Sequence, residues 1–335
     1  MMHQLPAETA AWTSDEVQVR REAVVLERSA RDASGAADWT LEWPTLVLAL
    51  VIYGGWTLAT LFHNAFSPFL LAAIGGWLLA WHNSLQHEII HGHPTSSKRL
   101  NTLLALPPLS LWLPFEAYRQ SHLAHHETER LTDPEHDPES RYPLQGPGAG
   151  RSLARAAALV QSTLLGRMIL GPAFEVIGFL NKEATRLARR DPARLRLWTV
   201  HTAMAGAVLA WLGVVCHLSL TQYLMCFVYP GCALSLVRSF AEHRADPDPA
   251  HRVAVVENAP ALGLLFLNNN LHAAHHERPG LPWHRLPQFY ARERERILAA
   301  NGGLVYSGYG EVFARYLWRS HHVGPAPSGS SRGQA

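Results

Sequence analysis

Two copies of His-x-x-His-His and one His-x-x-x-His are the residues of this sequence best placed to do chemistry. HEIIH supplies His87 and His91, HLAHH supplies His122, His125 and His126, and HAAHH supplies His272, His275 and His276. Four residues apart on a helix, His87 and His91 share one face and can chelate one metal ion. In His-x-x-His-His the first two rings are three residues apart, while the third points about 100° away. One short helix can therefore offer ligands to two neighbouring metals. A lone His-x-x-x-His arises by accident on many helices, whereas two copies of the longer spacing beside it do not. Solvated surface histidines are a poor account of such a repeat.

Counting separates the candidate metals. Zinc takes four protein ligands or fewer, so the eight imidazoles of the three boxes are too many for one zinc. They suit a pair of ions of higher coordination number, with positions left for O2. Imidazole binds iron and zinc alike, and ligand type alone leaves the metal open.

The boxes must be held by something, and the charge pattern says what. No Asp, Glu, Lys or Arg occurs from Trp43 to His87 or from Leu197 to Val237, although the mean hydropathy of the chain is close to zero. Each run is about twice the roughly 20 residues that one crossing of the hydrocarbon core needs. The pattern predicts one hairpin of Leu46–Phe62 with Phe69–Leu85 and a second of Leu197–Cys216 with Thr221–Val237. Lys and Arg flank the hairpins (Arg20, Arg21, Arg28 and Arg31; Lys182 to Arg196; Arg238 and Arg244) and are missing from both turns. The positive-inside rule then puts the turns outside and the boxes in the cytoplasm. Trp39, Trp43, Trp81 and Trp198 sit near span ends, as interfacial aromatics do.

Asn101–Phe115, short and rich in proline, is expected to be re-entrant or interfacial. Ala156–Leu180, broken by Arg167 and Glu175, is expected to lie on the membrane as an amphipathic helix. Gly54–Gly55 and Gly75–Gly76 fall roughly 15 Å from the first turn. They allow either close helix packing or room for the methyl end of a substrate. Cys216, Cys226 and Cys232 form no CxxC pair and are expected to pack as small apolar residues. A net charge of +2 with no basic, aromatic-interleaved patch gives no reason to expect nucleic acid. Residues 1–40 are polar without a cleavable signal pattern, so the first span serves as its own insertion signal. The expected organisation is a polar segment 1–40, a membrane domain 41–320 and a disordered tail 321–335.

In order, spacing and position after the hairpins, HEIIH, HLAHH and HAAHH resemble the three boxes of the membrane fatty acid desaturases and hydroxylases. RSFAEHRADP around His243 and HAAHHERPGLPWHRLP after the third box extend the resemblance over roughly residues 45–290. It implies an all-α integral membrane protein with about four transmembrane helices in two hairpins and a cytosolic, histidine-rich helical cap. It also implies two iron ions, O2 as co-substrate and a membrane lipid or fatty acyl substrate. Electrons would come from an external carrier of ferredoxin, rubredoxin or cytochrome b5 type. The HPGG of a fused cytochrome b5 domain is not seen in the sequence, so that carrier is expected to be a separate protein. His243 matches the family's further metal-binding histidine. One turn earlier, where acyl-CoA desaturases carry a participating asparagine, this chain has Ser239. The implied metal set is His87, His91, His122, His125, His126, His243, His272, His275 and His276.

On that reading the enzyme inserts a double bond into an acyl chain at a bacterial inner membrane. Hydroxylation of a lipid or carotenoid, or oxidative decarboxylation of a fatty acid to a terminal alkene, is the alternative on the same scaffold. A metal transporter or sensor would put ionisable ligands at mid-membrane, and these spans carry none there. Glu88, Glu242 and Asp133 are candidates to accept the second ring N–H of a box histidine. His63, His82, His93, His136, His201, His217, His321 and His322 are expected to stand outside the metal set.

Overall fold

The structure, a computed structural model, describes residues 41–142 and 159–321. The polar segment 1–40, His322 and the tail from Gly324 lie outside the described residues.

α1 (Trp43–Leu61) has apolar residues all round, as a lipid-facing helix does. A single 3-10 turn, His63–Ala65, reverses the chain. Ser67 then caps α2 (Pro68–Ile90) by accepting a hydrogen bond from Leu70 N at 3.3 Å, and Pro68 occupies the first helical position. α2 is apolar in its first half and polar from His82 onward, so the first histidine box sits at its polar end.

Beyond α3 (Lys98–Ala105) the chain runs without regular structure to Pro114. Irregular backbone at membrane depth is tolerated only where protein satisfies its polar groups, and here side chains do so. Gln86 Nε2 donates to Ala105 O (2.9 Å), the Tyr223 hydroxyl to Leu109 O (2.6 Å), and His201 Nε2 to Leu111 O (2.9 Å). The segment expected to be re-entrant or interfacial is thus tied to three long helices, and it delivers α4 (Phe115–Glu127), which carries the second box.

α5 (Leu164–Ala188), α6 (Pro192–Val215) and α7 (Leu220–Glu242) complete the long helices. Among the described residues, α1, α5, α6 and α7 are the four helices long and apolar enough to cross a membrane. This set differs from the expected one. α2 drops out because its second half is polar, and α5, expected as a surface helix, qualifies by length and composition while packing along α7. The second hairpin is also looser than expected. Only 17% of the apolar window of α6 is buried within the protein, against 50% for α7, and α7 packs mainly on α2.

That contact settles the role of the glycines. A Cβ added at Gly75 would collide with Cys226 O and lie 2.7 Å from the Phe227 ring. One at Gly76 would lie 2.8 Å from Pro230 Cβ, and one at Gly231 would strike Leu79 Cβ. Small residues let the two backbones approach, as membrane helices favour, and the space is filled by α7. The alternative of a methyl-end channel is overturned at Gly75 and Gly76. Gly75→Leu is therefore expected to abolish recovery of folded protein from detergent, because overpacking against backbone costs at least about 1–3 kcal/mol. Gly54→Leu, which would meet nothing within 4 Å, should be recovered like the unsubstituted protein.

After α7 the chain builds a cap from β1 (Val255–Val256), α8 (Pro260–Leu265), α9 (His272–Glu277), α10 (Leu286–Ala300), β2 (Val305–Tyr306) and α11 (Tyr309–Tyr316). β1 and β2 pair in parallel, Val255 with Val305 and Val256 with Tyr306. α9 carries the third box and is held against α10 and β1. All three cysteines are free, with Cys216 and Cys226 in the apolar core as expected. His321 departs from expectation. It is buried, accepts or donates at the Tyr306 hydroxyl (3.1 Å) and packs 4.7 Å from the Phe240 ring.

Candidate metal centre

The polar ends of α2 and α7 meet α4 and α9, and this junction gathers all nine histidines of the implied set. They fall into two groups: His87, His91, His122, His126 and His275 in one, and His125, His243, His272 and His276 in the other. Each group has one ring nitrogen per residue within 4.8 Å of all the others. Each His-x-x-His-His box does serve both groups, but the pair that stays together is i,i+4, not the i,i+3 pair expected from the sequence. In box two His122 and His126 serve the first group and His125 the second. In box three His275 serves the first and His272 and His276 the second. The His126 and His276 rings stack at 4.3 Å, so the groups are neighbours.

The Nε2–Nε2 separations test whether a metal fits. They are 3.0 Å for His91–His122, 3.1 Å for His122–His126 and 3.2 Å for His126–His275. In the second group they are 3.1 Å for His125–His243, 2.9 Å for His243–His272 and 3.1 Å for His272–His276. Two nitrogens each about 2.1 Å from one ion are about 3.0 Å apart at right angles and about 3.4 Å apart in a tetrahedron. The spacing matches ligands at right angles, the arrangement of a six-coordinate ion.

Tautomers give a second test. His243 Nδ1 faces Arg252 O at 3.3 Å, and His272 Nδ1 faces Asn269 Oδ1 at 3.2 Å. Both partners only accept, and the Asn269 amide is fixed because its Nδ2 donates to Glu242 Oε1. Each ring thus carries its proton on Nδ1 and presents a bare lone pair at Nε2. Burial, then the neighbouring imidazoles, hold His272 well below the ordinary histidine range. His243 is pushed down to about 3 by burial and then by His125. Two neutral lone pairs 2.9 Å apart repel unless a cation lies between them. His87 Nε2 is likewise buried with no hydrogen-bond partner among the described residues. A metal ion in each group satisfies these atoms.

Around the rings sit the carboxylates that fix them. Asp137 Oδ1 accepts from His125 Nδ1 at 2.8 Å, and Glu139 from His122 Nδ1 at 3.1 Å. Glu242 lies 3.4 Å from His272 Nδ1. Burial works against charge on His125, yet Asp137, Glu139 and Glu242 outweigh it and raise its pKa above the ordinary value. Of the three acids singled out in the sequence, none accepts a box histidine's ring N–H directly; Glu242 comes nearest, accepting from the Asn269 amide whose oxygen faces His272 Nδ1. Asp133 pairs with Arg130 and His136 instead. Glu88 accepts from Trp283 N (2.9 Å) and joins Glu42 and His93, which bond at 2.6 Å. That trio ties the start of α1 to box one and to the loop after box three.

Asp137, Glu139 and Asn269 were missed by sequence reasoning. The acids sit in an acidic loop after box two that carries no fixed spacing to it. His93 and His136 stay outside both groups, as do His63, His82 and His201, which bond to Thr60 O, Tyr53 and Leu111 O. Ser239 bonds back to Leu236 O in its own helix.

The fatty acid desaturase family model matches residues 65–309, which include every box. The chain belongs to the fatty acid desaturase family. No curated protein matches it. Desaturase family members are generally di-iron oxidoreductases that act on acyl chains, and the two histidine groups supply sites for two such ions.

Beside the groups lies a cavity of about 450 Å³ between α2, α4, α5 and α7, within the range of small-molecule sites. Tyr118, Glu139 and Glu242 line its inner end, and each also touches a box histidine.

Proposed function

We propose that this protein is an O2-dependent membrane desaturase that holds one iron ion in each histidine group and inserts a double bond into an acyl chain. The observation that carries the reading is the partition of nine imidazoles into two adjoining sets beside a cavity of small-molecule size. Iron in these groups would supply the oxidising power, drawing on O2 and on electrons from a separate ferredoxin, rubredoxin or cytochrome b5 type carrier.

The chain's own residues do the rest. Asp137, Glu139 and Asn269 hold the Nδ1 protons, so the Nε2 lone pairs point at the metals. The cavity binds the acyl substrate and keeps bulk water from the metal side. Leu79, Val228 and Leu236 give part of its wall the apolar surface that a hydrocarbon chain needs. The arginine-rich flanks support a cytoplasmic position for this end of the molecule at a bacterial inner membrane, within reach of a soluble electron donor.

Purified protein is expected to hold about two irons per chain, and turnover to require O2 and a reductant. Lipid extracts of an expressing strain should contain species lighter by two hydrogens than those of an empty-vector strain. One zinc and no iron in active protein would overturn the metal assignment. Gain of one oxygen atom would replace desaturation by hydroxylation.

A further inference from the structure

The inner end of the cavity is more polar than a pure hydrocarbon channel requires, and one cation there stands out. Arg238, on α7, is 7% exposed and lines the cavity. Its Nε lies 3.0 Å from Glu242 Oε1, yet Nε and Nη1 have no hydrogen-bond partner among the described residues. Tyr118, on α4, lines the same end, and its buried hydroxyl faces the Arg238 side chain with no other hydrogen-bond partner among the described residues. Arg141 donates to Glu175 (2.7 Å) and to Glu139 O (3.1 Å), while Arg186 and Arg194 face Glu183 at 2.8 and 3.6 Å. Arg194 also keeps a buried Nη1 without a hydrogen-bond partner among the described residues, but the carboxylate it faces, Glu183, is bonded to Arg186 and Trp198 and not to a box histidine.

Position gives this arrangement its meaning. One side chain separates Arg238 from each histidine group. Glu242 bridges to His272 at 3.4 Å, and the Tyr118 ring, beside the cavity, lies 5.9 Å from that of His122. A guanidinium offers five donors in a planar fork that matches a carboxylate. Leaving charged donors buried and unmatched costs more than leaving neutral ones so. A carboxylate arriving from the cavity would meet both Arg238 and the Tyr118 hydroxyl.

Building on the acyl-oxidation reading, we propose that Arg238 and Tyr118 bind the carboxylate of a free fatty acid inside the cavity. The carbons presented to the metal groups are then the first few counted from the carboxylate. The tail runs outward along Leu79, Trp112, Leu113, Phe179 and Val228. In the reaction one hydrogen leaves C2 and one leaves C3, and the electrons of the two broken C–H bonds leave one new C=C. O2 takes up those two hydrogens together with two further electrons from the reduced carrier protein and two protons from solvent, and departs as two waters. If the C1–C2 bond breaks in place of the C2–H bond, the same two-electron oxidation gives CO2 and a terminal alkene.

The test gives dodecanoic acid and its methyl ester to the iron-loaded enzyme with reduced ferredoxin and O2. The acid should be oxidised at C2–C3, as the 2-enoic acid or as the terminal alkene, with kcat/KM roughly ten-fold or more above that of the ester. Arg238→Gln should raise KM for the acid by a similar factor, and Arg238→Lys should restore part of the loss. Tyr118→Phe keeps the ring on His122 and should raise KM for the acid several-fold. That variant and the acid-to-ester ratio of the unsubstituted enzyme decide the matter if Arg238→Gln misfolds or loses iron. Oxidation at mid-chain, equal use of acid and ester, or an unchanged KM in Tyr118→Phe would overturn this proposal and leave acyl oxidation standing. Absence of any oxidised acyl product would overturn both.

Discussion

Alanine at His122, His125, His275 or His276 is expected to abolish turnover and lower bound iron, while the long helices still insert and fold. His125 shows why. Its Nε2 lies 3.1 Å from His243 Nε2, and its Nδ1 is 2.8 Å from Asp137. Alanine removes one of four ligands from the second group and leaves Asp137, 4% exposed, without the ring that faced it. Truncating one partner of a buried charge-assisted contact costs about 3–5 kcal/mol, so His125→Ala should also loosen the cap. His276 has no carboxylate partner at hydrogen-bond distance in the structure, and its alanine variant should lose metal with less loss of stability. His243→Ala should behave like the box variants; full iron and full activity there would return His243 to the spectators. His136, exposed beside Arg130 and Asp133, is the control and should be nearly silent. His321→Ala is not a second silent control, because that ring is buried against Phe240 and Tyr306. The measurements are iron per chain, product per chain and thermal stability in detergent.

The metal centre was legible in the sequence because its ligands come from short helices, where i, i+3 and i+4 spacing fixes which rings share a face. His122 with His126 and His272 with His276 obey that rule across both groups. The spans were less legible. Charge-free runs mark where a chain can enter a bilayer, but they do not say which helices pair, and the close fit of Gly75 and Gly76 against α7 is a property of two distant segments. α5 reads as a surface helix because Arg167 and Glu175 break its apolar run, although by length and composition it also qualifies as a span. The structure buries Arg167 and pairs Glu175 with Arg141 at 2.7 Å, a partner more than thirty residues away that no local pattern announces. The residues around the ligands were the hardest to read. Asp137 and Asp133 lie in one acidic loop with similar neighbours. Only the turn that sends Asp137 inward and Asp133 outward distinguishes them, and that turn depends on contacts made once the cap has closed.

Asp137→Asn is expected to weaken metal binding at the second group by about 10–100-fold, the usual cost of losing a partner that orients a ligand. The substitution keeps size and shape, so the effect isolates charge and hydrogen bonding. Both carboxylate oxygens of Asp137 are acceptors: Oδ1 takes His125 Nδ1 (2.8 Å) and Glu139 N (2.9 Å), and Oδ2 takes Thr132 N (2.9 Å). An amide has only one oxygen. If it serves Thr132, its NH2 faces His125 Nδ1, and the ring must move its proton to Nε2, the atom that should bind metal. If it serves His125 and Glu139, two donors meet at Thr132, which is 2% exposed and has no water to turn to. The first outcome lowers metal affinity directly, and the second unlatches the loop that also carries Glu139 to His122. Burial raises the Asp137 pKa, but the hydrogen bond from His125 and its charge outweigh this and hold it below the usual carboxylate range. It thus contributes stability above the unfolded carboxylate pKa that is lost as pH falls through the lower folded value, and the asparagine variant should lack that acid-side decline. Iron titration of the apoprotein, followed by absorbance, reads the affinity. Asp137→Asn with unchanged affinity for both ions would show that His125 is oriented by packing alone.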